Sequence, residues 1–396
     1  MNETSRTDAT YTKEFKTRTE FLELNNKRVP GIWEIALDLG YSAVKTFSPV
    51  GINCFPNFAR QIPPEQEFVS KPPKESIMYR NLNTGRTWLV GEIAQNTASR
   101  NDSMDSEESI YGRDRYFTEN FQTIMECGLG ASLLSNSCGC YENERIVIQT
   151  GLPEKYLSDE TYLREAIAGS HDFAIKTGNR NWKEFHVVIA PEDVYVMSQP
   201  KGSLFSICTD KNGGFLPDAG NYLRSNVLVF DPGFGTLDIF SIKSGAVSQG
   251  ATYPDLGMKR VFEETARSIN LKYGINKEFT LPGMQKDLAT GTFCYADRRK
   301  LTSQTYPFAD ILSEANIRIC DEAIDRMANT MNISDYSYMI VTGGTGTAWI
   351  DHILDRFKAF TTLKIIRGNQ NDGLPGIYSN VRGYYMYRLN KLLRFK

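Results

Sequence analysis

One hydrophobic pattern occurs twice along the chain. Ile32 to Phe47, IWEIALDLGYSAVKTF, and Val227 to Ile242, VLVFDPGFGTLDIFSI, each run apolar, turn at Asp-x-Gly and run apolar again. The runs are rich in β-branched and aromatic residues, which predicts two buried strands in each copy. Asp38 and Gly40 in the first turn match Asp231 and Gly233 in the second, which adds Gly235, Thr236 and Asp238. An acidic glycine turn by itself is ordinary hairpin chemistry. Two of them, each behind a strongly apolar strand, predict a duplicated unit with one ligand held between the copies.

The remaining pattern fills in two lobes. Residues 1–30 are polar without a clear period and predict a flexible extension. Residues 57–112 are mixed: TWLVGEIAQ is structured, and SRNDSMDSEES is an acidic loop. In YFTENFQTIMECGLGASLL the apolar residues Phe117, Phe121, Ile124 and Met125 fall at helical spacing, with Thr118 as N-cap. ERIVIQTGLPEKY predicts a strand, Ile146 to Gln149, ending in Gly-Leu-Pro, and FHVVIAPEDVYVMSQP a further strand or pair. Lys243 to Gly245 is a hairpin turn. Residues 255–335 are helical in pattern around a loop-like middle, TLPGMQKDLATG. YSYMIVTGGTG is a buried strand running into glycines, LKIIRG a last short strand, and VRGYYMYRLNKLLRFK a basic amphipathic helix with a solvated face. Each half thus opens with strands around an acidic turn and continues into helices, which predicts two α/β lobes facing a cleft.

Composition narrows the function. The 396 residues are 41% hydrophobic and 23% charged, with net charge −2. That is ordinary for a globular protein and offers no basic field for nucleic acid or anionic lipid. No apolar run is long enough to span a bilayer, and the polar start is no secretory signal. The seven cysteines are odd in number and scattered, Cys138 and Cys140 forming C-x-C, so reduced thiols in a cytoplasm are expected. The turns suit a phosphate chain: glycines let backbone N–H groups approach it, and Asp38 and Asp231 at strand ends would meet its Mg²⁺ from opposite sides. Lys45 is placed to return toward the phosphates. Gly343, Gly344 and Gly346 follow a buried strand, a setting for close approach to a base or sugar. A Rossmann fingerprint is only partly matched, since Trp349 stands at its third glycine, and no Walker sequence occurs.

The order of these motifs resembles the actin-like ATPase superfamily, and within it the ParM/StbA plasmid-segregation branch. IQTGLPEKY, VLVFDPGFGTLDIF, VTGGTG and SNVRGYYMY carry the likeness. It implies an α/β, actin-like two-lobed fold, each lobe a mixed sheet flanked by helices, with nucleotide in the central cleft. The expected division is 31–225 for the first lobe, with a small subdomain near 57–115, 226–370 for the second, and 371–396 returning to the first. The resemblance further implies ATP and Mg²⁺ as cofactors, the metal near Asp38 and Asp231 through water. It places Asp38, Gly40, Tyr41, Ser42, Lys45, Gly233, Gly235, Thr236, Asp238, Lys259, Glu263, Gly343, Gly344, Thr345 and Gly346 around the nucleotide. Asp231 and a water-positioning residue, Glu154 or in reserve Gln149, are the catalytic candidates. It also implies head-to-tail filaments that segregate DNA through a DNA-binding adaptor, without direct nucleic-acid binding. The competing classes are a small-molecule kinase of the same superfamily and a non-polymerising chaperone or scaffold ATPase.

Overall fold

The computed structural model describes residues 8–63, 71–98, 113–244, 246–297 and 299–394. Its strands are β1 (Glu20–Glu23), β2 (Ile32–Leu39), β3 (Ala43–Ser48), β4 (Gly51–Pro56), β5 (Ala59–Ile62), β6 (Ile77–Asn81), β7 (Thr87–Val90), β8 (Arg145–Leu152), β9 (Gly169–Thr177), β10 (Lys183–Ile189), β11 (Val194–Ser198), β12 (Val227–Pro232), β13 (Leu237–Lys243), β14 (Ala246–Tyr253), β15 (Thr292–Asp297), β16 (Thr302–Pro307), β17 (Tyr338–Val341) and β18 (Lys364–Arg367). Its helices are α1 (Asp8–Lys13), α2 (Glu92–Thr97), α3 (Glu119–Leu133), α4 (Glu160–Ile167), α5 (Gln199–Cys208), α6 (Ala219–Arg224), α7 (Met258–Tyr273), α8 (Leu281–Asp287), α9 (Ala309–Thr330), α10 (Gly343–Arg356) and α11 (Ser379–Arg394).

The duplicated pattern folds into two sheets of one design. In the first, β4-β3-β2 is an antiparallel meander, and β8 and β11 follow β2 in parallel. In the second, β14-β13-β12 is the meander and β17 and β18 follow β12 in parallel. A separate antiparallel sheet, β10-β9-β6-β7-β5, attaches to the first half, and the hairpin β15-β16 to the second.

The central strands are apolar on both faces because both faces are covered, the condition that turns alternation into a continuous hydrophobic run. On β2, Trp33, Ile35 and Leu37 face a core shared with Phe121, Ile124 and Met125 of α3, while Ala36 faces Val381, Tyr384 and Tyr385 of α11. On β12, Leu228 and Phe230 join a core with α7, α9 and α10, while Val227 and Val229 pack toward α5 and α6. Thr118 caps α3, its hydroxyl accepting from Phe121 N at 3.1 Å.

α5 and α11 form the layer where the two sheets meet. They cross in contact of backbone with backbone: a Cβ on Gly383 would lie 1.7 Å from Gly202 O. Arg382 is buried, donates to Ser206 O and Thr209 O, and pairs with Asp372 at 2.6 Å.

Three expectations need correction. Residues 8–30 are not a loose extension: α1 packs on α9, Phe15 is buried and β1 pairs with β4, because this polar stretch carries enough aromatic and backbone groups to dock. The middle of 255–335 is not a loop. Thr280 caps α8, with Pro282 in its first turn, and Thr292–Asp297 pairs with Thr302–Pro307 as the antiparallel β15-β16. The C-terminal helix is not a solvated basic face, since Arg382 and the aromatic residues beside it point inward. β9 and α5 also went unread, their apolar residues being too few to set a period. Residues 1–7 and the acidic segment 99–109 lie outside the described residues.

Replacing Gly383 with Ala should force α5 and α11 apart. Overpacking costs typically about 1–3 kcal/mol, and here the obstacle is backbone, so a loss of about 3 kcal/mol is expected in urea unfolding. Unchanged stability would mean the helices cross elsewhere.

Candidate nucleotide site

β2 and β12 end at their acidic turns side by side. A cleft between the two sheets is walled by Asp38, Gly40, Tyr41, Ser42 and Lys45 from the first and by Asp231, Gly233, Thr236 and Asp238 from the second. Gly343, Gly344 and Thr345 close another side. The sequence-predicted turns are therefore brought together by folding.

Charge dominates this space. Asp38 and Asp231 are 3% and 4% exposed, values that leave little water to solvate them. Lys45 Nζ pairs with Asp38 Oδ2 at 2.9 Å. Burial pulls the lysine down, but Asp38, with help from Asp231, overrides it and its pKa is raised. Burial pushes the Asp231 carboxyl up to about 6; the Asn380 side chain, donating to Asp231 Oδ2 at 2.8 Å, restrains the rise, while Asp38 adds to it. Burial likewise lifts Asp238 to about 7 despite hydroxyl donation from Thr252 and from Thr236 at 3.0 Å.

The glycines take a different form from the expected loop. Gly343 begins α10 with φ +78°, and a Cβ there would lie 2.8 Å from Asp231 Oδ1, so the position suits only glycine. The α10 N-terminus thus opens beside the acidic turn, with free N–H groups of the kind that receive anions. Thr345 ties it down by donating to Gly233 O at 2.8 Å. Gly346 instead lets α10 approach β17, a Cβ there meeting Val341 at 3.2 Å.

Not every candidate reaches the cleft wall. Gln149 is turned away: its amide nitrogen donates to Thr150 O and Tyr195 O, and its oxygen accepts from Arg388. Its position on β8 points it toward Arg388 of α11 and away from the cleft lining. Lys259 and Glu263 sit on α7 outside the cavity lining, and Glu263 is exposed. Gly235 packs beside the Tyr41 ring. Glu154 follows Pro153 and leans across to the second half, where a Cβ on Gly250 would come within 2.8 Å of its Cγ. Its Oε2 is buried without a hydrogen-bond partner, and its charge helps lift Asp238.

Several site residues escaped the sequence reading. Asn380 stands inside SNVRGYYMY, a stretch noticed only as a likeness. Gln199, at the start of α5, approaches Asp38 Oδ1 at 3.5 Å. Arg115 covers the Tyr41 ring at 5.0 Å, and Glu14, Phe15, Lys16 and Thr17 line the cleft. Pattern alone carries no signal for contacts so far apart in the chain.

The raised carboxyls fix a pH dependence. The folded protein binds protons at Asp238 that the unfolded chain, with Asp near 3.9, has released. This contribution to stability is full below about pH 4 and lost as pH rises through about 7, with an upper limit of about 4 kcal/mol. Asp238→Asn should flatten the fall in ligand-free stability between pH 5 and pH 8, measured by denaturant unfolding. An unchanged slope would place the titration elsewhere.

Comparison with known proteins fits this geometry. Residues 36–202 match the family described as Actin like proteins N terminal domain. No curated protein matches the chain in sequence. Among solved structures, a non-polymerisable quadruple mutant of pCBH ParM superposes with TM-score 0.69 at 17% identity, over 91% of this chain and 99% of that one. A ParM from a 15-stranded Clostridium botulinum filament gives 0.66 at 16% identity, over 93% and 99%. Ta0583, an archaeal actin homolog, in complex with ADP gives 0.60 at 14%, over 92% and 100%. The chain is thus actin-like in fold along nearly its whole length, and actin-like in sequence over residues 36–202.

Proposed function

We propose that this chain binds ATP with Mg²⁺ between its lobes, hydrolyses it, and assembles head to tail into filaments that segregate or position DNA through a DNA-binding adaptor. The observation that carries the reading is the meeting of two buried acidic turns beside a glycine-opened helix N-terminus. In this reading residues 31–225 and 226–370 are the lobes, and 371–396 returns to the first.

The donor set fits a phosphate-bound Mg²⁺. Among the described residues no group of three or more His, Cys, Asp or Glu forms a metal cage. Mg²⁺ on a nucleotide needs fewer, taking one or two carboxylates beside phosphates and waters. Asp38 and Asp231 are the residues that would hold it, and their burial gives a nearby cation large electrostatic weight. Bound there, the metal supplies charge neutralisation of the phosphates. In this reading Lys45 adds positive charge, the α10 N–H groups receive anionic oxygen, and Glu154, next to Pro153 on the cleft wall and with Oε2 buried and unpartnered, is the residue assigned to orient water.

A cleft with walls on both sheets supports the filament reading. A ligand that contacts both turns favours one lobe arrangement, by its differential affinity for the states. A heterologous contact built across both lobes then propagates as an open filament. The ParM filament similar in fold supports this, as does the near-neutral charge, which suits contact with DNA through an adaptor. Among the described residues no helix is long and apolar enough to cross a membrane; a cytoplasmic site of action is part of the proposal.

Centrifugation across a concentration series tests it. Pelleting above a critical concentration is expected with ATP or a non-hydrolysable analogue, with a higher threshold in ADP. A protein that turns ATP over yet stays monomeric at high concentration would instead favour a small-molecule kinase. Asp231→Ala should abolish phosphate release while the fold persists.

Glu154→Ala should separate chemistry from assembly. Loss of a group that orients or deprotonates water costs typically about 10²- to 10⁴-fold. Hydrolysis should slow by that order while ATP-dependent pelleting continues; unchanged turnover would assign the water to another residue.

A further inference from the structure

The segment preceding β2 crosses the mouth of the cleft from one half of the molecule to the other. Its α1 end is seated on the second half. Thr12 is fully buried and its hydroxyl donates to Leu288 O at 2.8 Å. Phe15 is buried in the core cluster that contains Met258, Phe262 and Leu288, with Tyr11 edge-on at 5.1 Å. The Thr17 amide donates to Gln285 Oε1 at 3.0 Å. Attachment to the first half then begins. Lys16 pairs with Glu92 of α2, and the Thr19 hydroxyl accepts from Glu92 N at 3.4 Å. From Glu20 the chain is a strand on the edge of the first sheet, Glu20 opposite Cys54 and Glu23 opposite Gly51.

This crossing narrows the site. Glu14, Phe15, Lys16 and Thr17 are part of the cavity wall facing Asp38 and Asp231. The cavity they leave is about 140 Å³, below the roughly 300–1,000 Å³ of most ligand pockets. α2 and α8 touch across the same mouth, and Thr17 lies between them among Tyr41, Gln95, Pro282 and Gln285.

Resting on the nucleotide reading of the cleft, we infer that residues 11–23 are a strap that ties the lobes together and gates nucleotide exchange. Its two ends differ in kind. The β1 end is held by a backbone ladder. The α1 end is held by side-chain packing and single hydrogen bonds, with Tyr11 and Phe15 on the apolar cluster, the Thr12 hydroxyl on Leu288 O and the Thr17 amide on Gln285, rather than by a ladder, so it is the end that releases. Undocking it unroofs the site and opens a path for nucleotide, while α2 against α8 and the α5-α11 layer still join the halves. A gate of this type changes entry and exit together, because it acts on the open population of both free and bound protein.

The test is stopped-flow binding and release of a fluorescent ADP by the full chain, with two variants. Thr12→Val keeps the shape and removes the bond to Leu288; Thr12 is not part of the cavity wall. Association and dissociation rates should both rise, by about threefold, with affinity unchanged. Phe15→Ala should raise both by about tenfold or more. Rates equal to the parent in both variants would overturn the strap while leaving the nucleotide site intact. A faster release confined to Phe15→Ala, with weaker affinity and no faster association, would also overturn it, making Phe15 a wall contact. Absence of nucleotide binding by the parent protein would overturn the reading of the site, and the gate with it.

Discussion

The buried meeting of Asp38, Lys45 and Asp231 is the constraint on which the molecule turns. Carboxylates removed from water are costly unless a cation or hydrogen-bond donor attends them. Lys45 attends Asp38, and Asn380 attends Asp231. The attendance is incomplete, since burial still lifts Asp231 and Asp238 toward neutrality. A cluster left in that state favours binding of a cation, which is the property the proposed nucleotide-bound metal would use.

Holding that cluster in place requires both sheets and the layer between them. Each sheet delivers its aspartate at the end of a central strand whose two faces are covered, so the strand has no freedom to slide. Asn380 comes from the first turn of α11, three residues before the glycine at which α11 crosses α5. α5 in turn places Gln199 beside Asp38, and Ser203 donates to Thr342, just ahead of Gly343. Each acidic turn is thereby tied to the same pair of helices. A change in charge at the cleft bears directly on the packing between the lobes, which is what coupling of a bound ligand to lobe arrangement requires.

Much of this was legible in the chain before folding. The paired Asp-x-Gly turns stood out because each lies between apolar runs, and that local pattern determined the strands, the duplication and the residues that wall the cleft. Thr118 as a cap and the helix after it follow from spacing alone. The sequence could not place Gln149: its neighbours on β8 mark it as a strand residue, but which face it presents depends on the parallel pairing of β8 with β2 and β11 and on Arg388, far along the chain. Gly343 to Gly346 likewise look alike in sequence, yet one meets Asp231 and another meets a strand, because a helix turns successive residues to different neighbours.

What the sequence by itself determined, then, was set by near neighbours: the paired strands, the two acidic turns and the Thr118 cap. The tertiary structure alone decided which distant groups complete the site. Asn380 reaches Asp231 across 149 positions and Thr12 reaches Leu288 across 276. Such contacts leave no periodicity, since each rests on one side chain of ordinary type, and only the packing of the two sheets against α5 and α11 and the crossing of the N-terminal segment bring them within bonding distance.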